Sequence, residues 1–170
     1  AGDVTIANNA DITMDFSGSA LRAENTGSGN ATSTHNGGDI IMRSGTAAIF
    51  AMTSGTGTAT ANMNGGTITN IQTFGNSEAY GLEARAAGGG DAIVNFNAGI
   101  IDSYTNGIVA WGGTSGASLG NATVTTAADT KIYALGGLPG TSGIYASAGS
   151  SANNTKVIVY SRSDIQSSVY

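Results

Sequence analysis

Three aspartates stand directly before an isoleucine: Asp11 before Ile12, Asp39 before Ile40 and Asp164 before Ile165. Two carboxylates held about 5 to 10 Å apart can cleave a glycosidic bond, one as acid and the other as base or nucleophile. Asp11 and Asp39 could meet that distance if the chain stacks them in adjacent layers. The equivalent positions elsewhere hold Thr67, Ile100 and Lys131, so an acidic column would be broken. The plainer expectation is that these short side chains accept hydrogen bonds from turn backbone.

Other chemistries find less material. His35 is the sole histidine, and the chain has no cysteine, which leaves thiol chemistry and a zinc site without ligands. At the corner Thr34-His35-Asn36-Gly37 the histidine is expected to be an exposed polar residue. No serine lies in a Gly-x-Ser-x-Gly elbow. Gly37-Gly38-Asp39 and Gly88-Gly89-Gly90-Asp91 carry the glycine and aspartate of calcium-binding β-rolls, but the tandem nine-residue repetition is missing. The sequence therefore calls for no catalytic residue, no metal and no cofactor. Asn30-Ala31-Thr32, Asn121-Ala122-Thr123 and Asn153-Asn154-Thr155 match the glycosylation acceptor pattern, and in a chain so rich in Asn and Thr they read as loop markers.

The elements that would position these residues repeat. Isoleucines closing a short strand and a polar or Gly-rich corner sit at 12, 40, 68, 101, 132 and 165, at steps of 28, 28, 33, 31 and 33 residues. Between them runs a second motif: Leu21-Arg22-Ala23, Ile49-Phe50-Ala51, Leu82-Glu83-Ala84, Ile108-Val109-Ala110 and Ile144-Tyr145-Ala146. A period near 30 without helical spacing marks a solenoid. Each lap reads as an Ile/Leu-x-Ala strand, a loop, a second strand, a corner and a third strand. Loops such as Gly112–Gly120 and Leu135–Ser142 absorb the variation, because stacked strands cannot change length without losing register. Lys131-Ile132-Tyr133-Ala134 fits the first strand type as well as the third, which blurs boundaries between 125 and 145. The fold expected is all-β: one domain spanning residues 1–170, a right-handed single-stranded parallel β-helix of about five to six coils with three short strands each. Right-handed crossovers are favoured for parallel strands. Six laps at the ~4.8 Å strand spacing give a rod of roughly 29 Å.

Composition narrows the partners. The net charge is −5, with two lysines and four arginines, so phosphate backbones and anionic membrane surfaces are poor partners. No run approaches the ~18 apolar residues that span a bilayer. Only 10% of residues are charged, and 27 are glycine, which suits a chain that must turn three corners per lap. The opening Ala1-Gly2-Asp3 reads as the product of signal cleavage or as an excised fragment.

Asn106-Gly107-Ile108-Val109-Ala110, Ser142-Gly143-Ile144-Tyr145-Ala146 and Tyr80-Gly81-Leu82-Glu83-Ala84, on a Gly/Ser/Thr/Asn-rich background with few lysines, resemble the passenger domains of Gram-negative autotransporters. The resemblance runs from about Val4 to Ile165. It implies a right-handed parallel β-helix, secretion to the bacterial cell surface, and adhesion or aggregation. The family's membrane barrel and terminal cap have no counterpart in the sequence. A short β-helix with open ends could instead stack on further copies of itself as an extracellular filament.

Alternation singles out one face. In the Ile/Leu-x-Ala strand the first and third residues point inward, and the middle residue and the one after Ala point outward. Stacking gives one outward column of Arg22, Phe50, Glu83, Val109 and Tyr145, and another of Glu24, Met52, Arg85, Trp111 and Ser147. Phe50, Met52, Val109, Trp111 and Tyr145 form the candidate partner-binding patch, for a host or bacterial surface protein, a glycan or a neighbouring copy. Two other outcomes are open: the following loop folds back over the patch, or its side chains serve as cross-strand neighbours.

Overall fold

Strands of three to seven residues, most of them alternating buried and less buried side chains, stack into layers in a computed structural model that describes residues 2–71, 78–113, 120–136, 141–149 and 155–167. The first coil holds β1 (Val4–Asn8), the three-residue β2 (Ile12–Met14) and β3 (Leu21–Asn25). The second holds β4 (Ala31–His35), β5 (Asp39–Met42) and β6 (Ala47–Thr53), and the third β7 (Ala59–Met63), β8 (Thr67–Asn70) and β9 (Tyr80–Ala86). The fourth holds β10 (Ala92–Phe96), β11 (Ile100–Ser103) and β12 (Ile108–Gly112), and the fifth β13 (Ala122–Thr126), β14 (Lys131–Ala134) and β15 (Ile144–Ala148). β16 (Val157–Tyr160) and β17 (Asp164–Ser167) follow. Every pairing is parallel and joins equivalent strands of successive coils, giving two six-stranded sheets and one five-stranded sheet. The chain is an all-β parallel solenoid of about five turns with three strands per coil, as the repeat predicts.

Register follows the inner residues. Ile12, Ile40, Ile68, Ile101, Ile132 and Ile165 pair in one unbroken column. Ala23, Ala51, Ala84, Ala110 and Ala146 pair in another. The third sheet thus sets a small side chain beside its inward Leu and Ile residues while the second brings isoleucine, which suits a narrow, closely packed interior. Lys131–Ala134 settles in the second sheet, in register with Ile100–Ser103, because only there does Ile132 join the isoleucine column.

His35 is a correction to the expected exposed corner. It is fully buried, in register between Asn8 and Met63. Period-two alternation carries Ala31, Ser33 and His35 to the same inner side. The ring is satisfied there: Nε2 donates to the Gly38 carbonyl at 3.0 Å and Nδ1 accepts from Asn8 Nδ2 at 3.3 Å.

Corners are sewn by short polar side chains. Asp11 Oδ1 accepts the Asp39 N–H at 2.8 Å, and Asp39 Oδ1 accepts the Thr67 N–H at 3.2 Å. At the opposite corner Asp3, Asn30, Asp91 and Asn121 accept backbone N–H groups of Asn30, Thr58, Asn121 and Lys156. Two of the three glycosylation-pattern asparagines, Asn30 and Asn121, are therefore coil-to-coil acceptors; the third lies outside the described residues. Gly66 turns its corner at φ +85°, where its Cα passes against the Gly38 carbonyl and a side chain would collide.

Candidate functional site

The outward columns of the third sheet form in the predicted register. Arg22 pairs with Phe50, Phe50 with Glu83, Glu83 with Val109 and Val109 with Tyr145. Alongside run Glu24, Met52, Arg85, Trp111 and Ser147. The five candidate residues share one face, but they are not equally open. Phe50 and Val109, expected at the surface, are buried with Ala47 and Tyr80 in an apolar cluster separate from the solenoid interior, and Met52 and Trp111 pack against it. Alternation fixes which way a side chain points, not what covers it. Tyr145 is exposed. Of the expected covering loop, residues 114–119 lie outside the described residues, as do 137–140 of the later loop.

The open part of this face is aromatic and cationic. Trp111 and Tyr145 hold ring centroids 5.1 Å apart at 43°. Arg85 lies over the Trp111 ring at 5.7 Å, and Arg22 over Phe50 at 4.8 Å. Both contacts suit the negative face of an aromatic ring. Each arginine also reaches along its own strand to a carboxylate two residues away, Arg22 to Glu24 at 2.6 Å and Arg85 to Glu83 at 2.5 Å. Glu83 is buried, and burial pushes its carboxyl above the ordinary value, with the Arg85 charge and hydrogen bond pulling the other way. Burial, then Glu78 and Glu83, push the Tyr80 phenol up to about 12. The Trp111 Nε1–H is buried with no acceptor among the described residues.

The aspartates singled out for glycosidic chemistry are placed in adjacent coils, yet Asp11 and Asp39 each hold a backbone N–H of the next coil. Asp164 sits at the last coil, in register with Lys131. Of the two Gly/Asp stretches, Asp91 accepts both N–H groups of Asn121 at 2.9 Å. Among the described residues no three His, Asp or Glu side chains gather to hold a metal ion. No helix among them is long and apolar enough to cross a membrane.

Sequence reasoning missed two recesses at the corners. One of about 200 Å³ adjoins buried Asn70 and the exposed Asp102, whose carboxyl partial desolvation pushes up. The other, of about 490 Å³, lies beside Asn97, Ala127 and Tyr160. Three asparagines, at 36, 64 and 97, each four positions before a column isoleucine, were the signal for the second corner. The chain matches no protein-family model, no curated protein and no solved structure.

Proposed function

We propose that this chain is a non-catalytic β-solenoid of a bacterial surface, similar to an autotransporter passenger, working as an adhesin or rigid stalk outside the cell. The supporting observation is the use made of its corner carboxylates. Asp3, Asp11, Asp39 and Asp91 accept backbone N–H groups of the following coil, where an enzyme of this shape would keep such groups free for substrate. Binding falls to outward side chains, with Trp111 and Tyr145 on the third sheet as one such surface and a host or bacterial protein or a glycan as partner. The test is retention on a panel of immobilised glycans and surface proteins, with soluble fragments assayed alongside. Retention without fragment release is expected, and turnover of any glycan that is lost in Asp39→Ala would overturn the reading.

A second reading, end-to-end assembly of copies, has its own support. Val157, Val159 and Ile165 continue the columns of Ala122, Val124 and Ile132. Those three are fully buried, while Val157 is 49% and Ile165 42% exposed. A further coil from a second copy would cover them and satisfy the open strand edges. Filaments in electron micrographs that shorten on Val159→Lys are the expected result; a concentration-independent monomer would remove this reading.

A further inference from the structure

The corner between the first and second sheets carries a head-to-tail ladder of asparagine side chains. Asn36 Nδ2 donates to Asn9 Oδ1, Asn64 Nδ2 to Asn36 Oδ1 and Asn97 Nδ2 to Asn64 Oδ1, each at 2.8 Å. The backbone fixes the rungs. The N–H groups of Asn36, Asn64 and Asn97 donate at 2.8 Å to the carbonyls of Asn8, His35 and Met63 in the coil before. In the fifth coil Ala127 takes the same place, donating to Phe96 O at 2.9 Å. Ala127 has no amide, so the ladder stops, and Asn97 Oδ1 has no donor among the described residues.

The cavity of about 490 Å³ opens where the ladder stops. Its volume is within the ~300–1,000 Å³ range of small-ligand sites. Asn97 and Ala127 line it together with Thr125, Tyr160 and Arg162. Tyr160 is 64% exposed, which leaves a ring face free. Arg162 is anchored through its backbone N–H, which donates to Thr126 Oγ1 at 2.9 Å. Its guanidinium pairs with no carboxylate among the described residues. One recess therefore presents an unused amide acceptor in ladder geometry, an aromatic face, a hydroxyl and a planar cation.

We propose that this cavity is a glycan subsite for an N-acetylated amino sugar, whose amide N–H takes the place of the missing rung and donates to Asn97 Oδ1. The apolar face of the sugar ring lies on Tyr160, and its hydroxyls meet Thr125 and Arg162. A peptide also carries amide N–H groups. Apart from the Tyr160 ring and two alanines the lining is polar (Asn97, Thr125, Ser161, Arg162), with no second large apolar side chain to enclose an amino-acid side chain, and this favours the sugar. The inference rests on the adhesin reading and adds a ligand class and a location to it.

The experiment titrates the protein with a β-linked N-acetylglucosamine trimer, the matching glucose trimer and an N-acetylated tripeptide, read by amide chemical shifts. The acetylated sugar is expected to bind up to about tenfold tighter than the glucose trimer, the worth of one well-placed hydrogen bond. Its shifts should centre on the Asn97 side-chain amide. Ala127→Asn restores the rung and fills the acceptor, so it should keep the fold and weaken binding about tenfold. Tyr160→Ala should weaken it as well. Equal binding of the two trimers, wild-type affinity in Ala127→Asn, or preference for the tripeptide would each overturn the subsite. Glycan binding that maps elsewhere removes this site and leaves the adhesin reading standing; a protein that retains no glycan and no surface protein loses both.

Discussion

Arg85 reaches back two residues along β9 to clasp Glu83, its Nε and terminal nitrogen both on Oε1, and the carboxylate they hold is buried on the outer side of the sheet. A charged group is tolerated there because its partner is two residues away on the same strand face, where alternation places both. Removing one partner of a buried pair leaves an uncompensated charge. Arg85→Met is expected to cost about 3 kcal/mol at neutral pH, and the double change Glu83→Leu with Arg85→Met much less. Urea unfolding of the three proteins measures the difference, and equal losses in single and double variants would show that the pair is not the unit.

The same carboxyl sets a pH dependence. Its folded value lies above the ordinary 4.5, so the folded state binds its proton more tightly than the unfolded chain. The contribution of Glu83 to stability is therefore greatest below 4.5, falls as pH rises through that value, and levels off above the raised folded one. Glu83→Gln removes this component. Subtracting its denaturation curve from the parent's across pH 3 to 7 should leave a descending slope, and a rising one would contradict the assignment.

Corner aspartates are predicted to matter through oxygen geometry rather than charge. Asp11 Oδ1 accepts the Asp39 N–H, and an asparagine offers the same acceptor. Asp11→Asn should stay close to the parent stability, while Asp11→Ala should lose about 1 kcal/mol, the typical worth of such a bond. Thermal unfolding of both variants decides it. A loss as large in Asp11→Asn as in Asp11→Ala would show that the negative charge itself is used.

The solenoid was legible because its determinants are local and repeated. Ile40, Ile68 and Ile101 recur at the lap length, and only stacking makes that spacing useful. His35 was misplaced although the signal was present: aligned by lap, it stands over Met63 and Phe96, both inner residues. The asparagine ladder was equally readable, since Asn36, Asn64 and Asn97 precede their isoleucines by the same four positions. The burial of Phe50 and Val109 was not readable, because cover on an outer face depends on side chains outside the three-residue motif, here Ala47 and Tyr80. Nor was the corner cavity, which exists through the side chain that Ala127 lacks.

The narrow axis gives a prediction of opposite sign to ordinary core filling. Ala84 is fully buried and stands between Ala51 and Ala110 in the alanine column, in the same core cluster as Ile68. A larger side chain there has no void to enter. Ala84→Leu should destabilise by about 1–3 kcal/mol or more despite its added apolar surface. Ile68→Ala, in the isoleucine column of the second sheet, should cost about 2–5 kcal/mol by leaving a cavity. If the alanine column is small because the axis is narrow, the double variant should recover part of both losses. Strictly additive losses in chemical denaturation would mean that the two columns do not share that space.

Trp111 separates packing from polarity on the candidate binding face. Its indole stacks obliquely on Tyr145 and under Arg85, while its Nε1–H is buried without an acceptor among the described residues. A buried donor without a partner costs about 1–3 kcal/mol. Trp111→Phe keeps an aromatic ring against Tyr145 and removes that donor, so stability should hold or rise. Trp111→Ala removes the ring and should lower it. Binding discriminates further. If the ring face itself is the contact, Trp111→Phe keeps retention on the immobilised panel and Trp111→Ala weakens it. Retention unchanged in both variants, with the fold intact, would take Trp111 out of the binding surface.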